Sequence, residues 1–168
     1  MAESSDVADG VLDAETQRSV AGALFNRVWD LIDAGAARSA DATDEMIDAA
    51  HASRYLWRQI GGLEQAIVGE WQISRTYAAA GIGTEAVRHA QISLVLLESD
   101  PDVPDWLTAS VHEGRARAYL AAGEAEAAVL AFRSAHAALL DIADPDDRDL
   151  VASQLAELRL AADPPPSH

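Results

Sequence analysis

The sequence predicts an all-α domain of about seven helices, stacked as antiparallel hairpins with a last helix capping the stack. Three observations predict it. No stretch of any length alternates apolar and polar residues as a half-buried strand does. Nearly half of the 168 residues are apolar yet only 5% are aromatic. Much of that apolar share is alanine, the best helix former and a side chain too small to fill a core alone. A pattern also occurs twice: Tyr77, Gly81, Ala86 and Ala90 return 42 positions later as Tyr119, Gly123, Ala128 and Phe132. An aromatic late in one helix, a glycine turn and small residues on the next describe a helical hairpin built for stacking.

The elements follow in order. Residues 1–13 are acidic and without helical periodicity, which predicts a flexible tail. The first helix is expected from about Glu15 to Ala34, with Leu24, Val28 and Leu31 on one face and Gly35 closing it. Asp41 or Thr43 is the expected N-cap of the second, which ends near Gly61 and Gly62. The third spans about Leu63 to Ala80 and stops at Gly81. Thr84 is the expected cap of the fourth, Glu85 to about Glu98. Ser99 to Pro104 forms a break, after which a fifth helix runs from about Asp105 to before Gly123, and a sixth from Glu124 to Ile142. Asp144 followed by Pro145 supplies a capping acceptor and a first-turn proline for the seventh, whose apolar stripe is Val151, Leu155 and Leu158. Residues 163–168, with three consecutive prolines, cannot continue it and form a C-terminal tail. The helical domain is therefore 14–162, and an alanine-rich core of this kind needs Trp29, Trp57, Trp71, Trp106, Tyr77, Tyr119 and Phe132 as its large anchors.

Charge narrows the function classes. The chain carries a net charge of −16, so it repels a phosphate backbone or an anionic membrane surface at long range. Nucleic acid and membrane are not expected partners, whereas a basic peptide or protein is attracted. All 12 basic residues are arginine, which together with abundant alanine suggests a GC-rich bacterial genome. Without cysteine, disulfides and thiolate metal sites are excluded. Met1 to Asp6 has neither the positive charge nor the apolar run of a signal peptide, and no apolar stretch is long enough to span a bilayer. A cytoplasmic location is the expectation.

In the first clear unit the diagnostic residues are Ile73, Ser74, Tyr77, Gly81 and Ala86. In the second they are Ala116, Ala118, Tyr119, Gly123, Ala128, Phe132 and Ala135. A degenerate earlier unit places Leu24, Val28 and Leu31 on its first helix and Met46, Ala50 and Ser53 on its second. These units resemble tetratricopeptide repeats. Met46, Ala86 and Ala128 stand 40 and 42 residues apart, beyond the family's spacing of about 34, so the helices are expected to be longer by a turn or more. Glu70 to Tyr77 also resembles a stretch of short repeat-containing proteins of GC-rich bacteria. Each helix pair has one apolar face that it cannot cover alone, which makes about three stacked units the expected minimum.

The resemblance implies a concave groove for an extended peptide, lined by residues just after the packing positions of each first helix. On this chain those are Phe25 and Trp29, Trp71 and Arg75, then Glu113 and Arg117, each pair four apart and so on one helical face. Tryptophan and arginine dominate binding hot spots. Trp29 and Trp71 equally fit an ordinary core if the extra helix length rotates the register.

Two further sets draw attention. Glu70, His112 and Arg115 fall where the family pattern expects packing residues, and a buried charge is costly unless paired. Pairing of Glu70 with Arg115, His112 or His89 answers that cost, as does partial exposure, and such a polar cluster is also a candidate anion or metal site. His51, Tyr55 and Arg58, with Arg54 beside them, form the most basic patch, open to reading as a partner contact or a solvated face. No two histidines among His51, His89, His112 and His136 lie at metal-ligand helix spacing, no glycine-rich phosphate loop is present, and Ser74 and Ser93 have no adjacent base. No metal, cofactor or enzyme activity is expected.

The leading expectation is a protein–protein interaction module or adaptor. One alternative is a homo-oligomer, a homodimer for instance, that buries the aromatic face against its own copy. The other is a small-ligand or metal sensor built on Glu70, His89, His112 and Arg115.

Overall fold

The computed structural model describes residues 12–99 and 102–162. Residues 1–11 of the expected N-terminal tail (1–13) and the expected C-terminal tail, 163–168, lie outside the described residues. Within them are seven α-helices and no strand: α1 (Ala14–Asp33), α2 (Ala40–Ile60), α3 (Leu63–Ala79), α4 (Gly83–Glu98), α5 (Asp105–Ala121), α6 (Ala125–Leu139) and α7 (Pro145–Ala162).

The helix ends show how local chemistry sets the elements. Asp13 caps α1, its carboxylate accepting from the backbone of Glu15 and Thr16. The cap of α2 is Ser39, not Asp41 or Thr43: Ser39 Oγ accepts from the backbone of Ala42, and a single 3-10 turn, Gly35–Ala37, brings it into place. Thr84 does not cap α4 either. That helix begins at Gly83, whose missing Cβ lets the backbone of Ala121 and Ala122 approach to where a methyl group would stand only 2.5 Å away. Asp144 caps α7 as the sequence indicates, accepting from the backbone of Asp146 and Asp147.

The repeated glycines have one job. Gly81 and Gly123 take φ of 74° and 77°, a left-handed conformation that suits glycine. Each lets the next residue bond back across the helix end, Ile82 to the carbonyl of Tyr77 and Glu124 to that of Tyr119, which satisfies carbonyls the helix leaves open. Helix α6 stops at Leu139, short of Ile142. The following residues tighten into three-residue-spaced bonds, and Ile142 is thereby buried against Val151 and Leu155 of α7.

Three hairpins stack: α1 with α2, α3 with α4, α5 with α6, while α7 packs on α5 and α6. Opposite chain direction within the middle hairpin is visible in two hydrogen bonds. Ser74 Oγ donates to the Ala86 carbonyl, and Ser93 Oγ donates to that of Ile67. Ser53 likewise donates to the carbonyl of Ala21 between α2 and α1. Serines and alanines at these crossings let backbones approach closely, and the hydroxyls end on carbonyls. Neighbouring hairpins are tied by the repeat tyrosines: the Tyr77 hydroxyl meets His51 Nε2 at 2.9 Å, and Gln91 donates to the hydroxyl of Tyr119.

Burial follows the large residues. Met46, Ile67, Ile73, Leu107, Ile142 and Leu155 are fully buried, each stabilising by about 1.5–3 kcal/mol relative to exposure. A buried alanine such as Ala86 or Ala118 contributes about 0.8 kcal/mol per methyl-sized group, so the few large side chains dominate the core energy.

Candidate binding groove

The first helices of the three hairpins, together with α7, enclose a groove of about 1020 Å³. It is lined by Phe25, Trp29, Trp71, Arg75 and Arg117 of the six residues singled out from the sequence, and by Arg38, Leu150, Gln154 and Glu157. Aromatic rings pack in sequence along one wall. Phe25 and Trp29 meet edge to face at 6.1 Å, and Trp29 lies 5.4 Å from Trp71. Trp71 is only 7% exposed and belongs to the core cluster of Ile67, Leu97, Leu107 and Val111. Its indole rests on Gly114, where a methyl group would come within 2.6 Å of the ring. Trp71 is thus a fixed part of the wall, while half-buried Phe25 and Trp29 offer surface to the groove.

The charged residues form a chain across the groove floor. The Arg75 guanidinium lies 5.3 Å from the centre of the Trp29 ring and 6.0 Å from that of Trp71. It donates to Glu113 Oε2 at 2.6 Å, while Arg117 donates to Glu113 Oε1 at 2.5 Å and to Glu157 Oε2 at 2.7 Å. Burial pulls the pKa of Arg75 down, with the Glu113 charge opposing it. For Arg117 burial acts the same way, but Glu113 and Glu157 outweigh it and raise the value. Glu113 is fully buried and Arg75 6% exposed. Their charges are spent on one another. Arg117 and exposed Glu157 are the members within reach.

Arg38 closes one end. Its guanidinium donates to the carbonyls of Leu31 and Ala79, joining the last turns of α1 and α3, and to Thr43 Oγ1. Arg38, Leu150, Gln154 and Glu157 escaped the sequence reading, which placed the groove on hairpin helices alone. The signal was present: Leu150, Gln154 and Glu157 repeat at helical spacing on α7, beside the buried stripe of Val151, Leu155 and Leu158. Two lining residues hold buried polar atoms with no hydrogen-bond partner, Trp71 Nε1 and Gln154 Oε1.

The polar cluster does not assemble as one site. Glu70 accepts from Arg54 Nε at 3.1 Å and pairs with His89 Nδ1 at 2.7 Å. Arg88 reaches His89 Nε2 at 2.6 Å. A guanidinium only donates, so Nε2 is the acceptor and Nδ1 carries the proton given to Glu70. His112 and Arg115 bond instead to each other at 3.0 Å, with the Arg115 guanidinium 5.9 Å from the Tyr119 ring centre. The four residues therefore form two separate pairs. The basic patch is divided as well. His51 turns inward onto Tyr77 and His89, and Arg54 onto Glu70, because α3 offers a carboxylate and a hydroxyl there; Tyr55 and Arg58 stay exposed. Among the described residues no group of three histidines or carboxylates is placed to hold a metal ion.

These groups set the response to acid. Burial, reinforced by the neighbouring His89, holds the His51 pKa below the ordinary histidine value; burial and then Arg115 do the same for His112. A histidine so depressed takes its proton more readily in the unfolded chain. Its contribution to stability is full above about 6.5 and is lost as pH falls through the folded value. Glu70 adds in the same direction at lower pH. Burial pushes its carboxyl up, but the hydrogen bond from His89 and the Arg54 guanidinium hold it below the usual carboxylate value. Unfolding free energy from urea titration is expected to drop between about pH 7.5 and pH 5. His51→Gln, which keeps an acceptor for Tyr77, is expected to flatten the slope. An unchanged slope in that variant would remove His51 from the account.

No family model, curated protein or solved structure matches this chain. Among the described residues no helix is long and apolar enough to cross a membrane.

Proposed function

We propose that the chain is a cytoplasmic protein-interaction module of tetratricopeptide type that holds an extended peptide along its concave groove. The observation that carries this reading is the groove itself: about 1020 Å³, walled by aromatic rings and arginines from separate helices. An extended peptide brings an apolar side chain to Phe25, Trp29 and Leu150. Of the lining carboxylates Glu157 is held by Arg117, so Asp33 and, from further away, the net charge of −16 are what favour a basic residue beside the apolar anchor.

The test uses Leu150, which is 58% exposed and so removable without disturbing the core. Selection from a displayed peptide library on the wild-type protein is expected to yield sequences with an apolar anchor next to a basic residue. Leu150→Asp is expected to weaken their binding by about tenfold, a loss typical of one interface side chain worth over 1 kcal/mol, at unchanged melting temperature. Recovery of no peptide, or equal binding by both proteins, rejects the groove as the site.

A further inference from the structure

A second cavity, of about 360 Å³, shares Phe25 with the groove but has a different chemistry. Its walls are the rings of Phe25, Trp57 and Trp106 together with Val68. All three rings are half-buried, so apolar surface remains open to the cavity. No arginine or histidine lines it, in contrast to the three arginines of the groove. The single ionisable group in its lining is Glu64, an exposed residue in the first turn of α3 that makes no ion pair among the described residues. There it also offsets the partial positive charge of the helix start.

Aromatic faces attract cations through their quadrupole, a carboxylate does so by charge, and a chain of net charge −16 draws cations to its surface. The degree of alkylation follows from the acceptors present. A primary ammonium brings three donors that must be satisfied. The cavity's neutral side-chain acceptors are the amides of Asn26 and Gln65, and the Oε1 of Gln65 is already taken by the Gly62 backbone N–H. A methylated ammonium needs none and presents apolar surface to the rings. We propose that this cavity binds an alkylated ammonium group, with Trp57, Trp106 and Phe25 around it and Glu64 as counter-charge. The assignment stands apart from the peptide reading of the groove.

Gly22 provides a way to close the cavity without touching the core. It lines the space, and a Cβ there would meet nothing within 4 Å. Gly22→Leu therefore fills the cavity while raising helix propensity. The measurement is calorimetric titration of the full chain with choline and with its neutral isostere 3,3-dimethylbutan-1-ol, with tryptophan fluorescence as a second readout. Choline is expected to bind about tenfold more tightly than the alcohol. Glu64→Gln is expected to shrink that preference, and Gly22→Leu to abolish binding of both with no fall in melting temperature. A third arm uses a short peptide bearing Nε-trimethyllysine: tighter binding than choline assigns the group to a protein ligand, and weaker binding assigns it to a free small molecule. Equal affinity for choline and the alcohol, no binding at millimolar concentration, or full binding by Gly22→Leu overturns the proposal.

Discussion

Alanine in place of Glu113 is expected to reduce the unfolding free energy by about 3–5 kcal/mol, the usual cost of stripping a buried charge of its partner. Glu113 is fully buried and holds two guanidinium groups, of which Arg75 is almost as deeply buried. Arg117 keeps Glu157 after the substitution, but Arg75 loses its one hydrogen-bonded carboxylate and keeps the ring faces of Trp29 and Trp71 and the more distant charge of Glu157. At about 2–4 °C per kcal/mol for a chain of this size, the melting temperature falls by roughly 6–20 °C. The double variant Arg75→Met, Glu113→Leu is expected to recover most of that loss, since apolar packing of similar volume often equals a buried ion pair. Calorimetric melting of the three proteins distinguishes the cases. A single-variant loss below about 1 kcal/mol would mean that Arg75 swings out into the groove and is solvated there.

The next largest effect is expected at Gly83. A methyl group at that position would stand 2.5 Å from the Ala121 carbonyl oxygen and from the backbone N and Cα of Ala122. Backbone cannot rotate aside as a flexible side chain can, so α4 and α5 must separate and loosen the contact of Ala86, Ala90 and Ala118. Overpacking of this kind costs about 1–3 kcal/mol and sometimes more. The better helix propensity of alanine returns at most about 1 kcal/mol, so the clash wins. Gly81→Ala is the control. Gly81 has open space around its Cβ position but a φ of 74°, so its cost is conformational, about 1–2 kcal/mol. Urea unfolding is expected to rank Gly83→Ala as the more harmful; the reverse order would show that α4 shifts freely against α5.

Helix existence was readable because its signals are local. The Asp144–Pro145 start and the glycine stops at 81 and 123 each act within a few residues, and the structure uses them for capping. Caps failed where tertiary contact overrode local chemistry. Thr84 lost its role because α5 presses on Gly83, and Ser39 displaced Asp41 and Thr43 because the turn at Gly35–Ala37 set the entry of α2.

The candidate sites divide along the same line. The sequence by itself determined the helical class, the hairpin period and the helical faces on which Phe25, Trp29, Trp71, Arg75, Glu113 and Arg117 stand, because periodicity and capping depend only on near neighbours. Only the tertiary structure decided which long polar side chains meet. Glu70 chose Arg54 and His89 over Arg115 and His112, and Glu113 turned inward between two arginines. Such pairings depend on a few ångströms of offset between helices distant in sequence, where hydrogen-bond energy falls away steeply. The addition of α7 to the groove wall, and the placing of Trp57 and Trp106 in the lining of one second cavity, were set by that same packing.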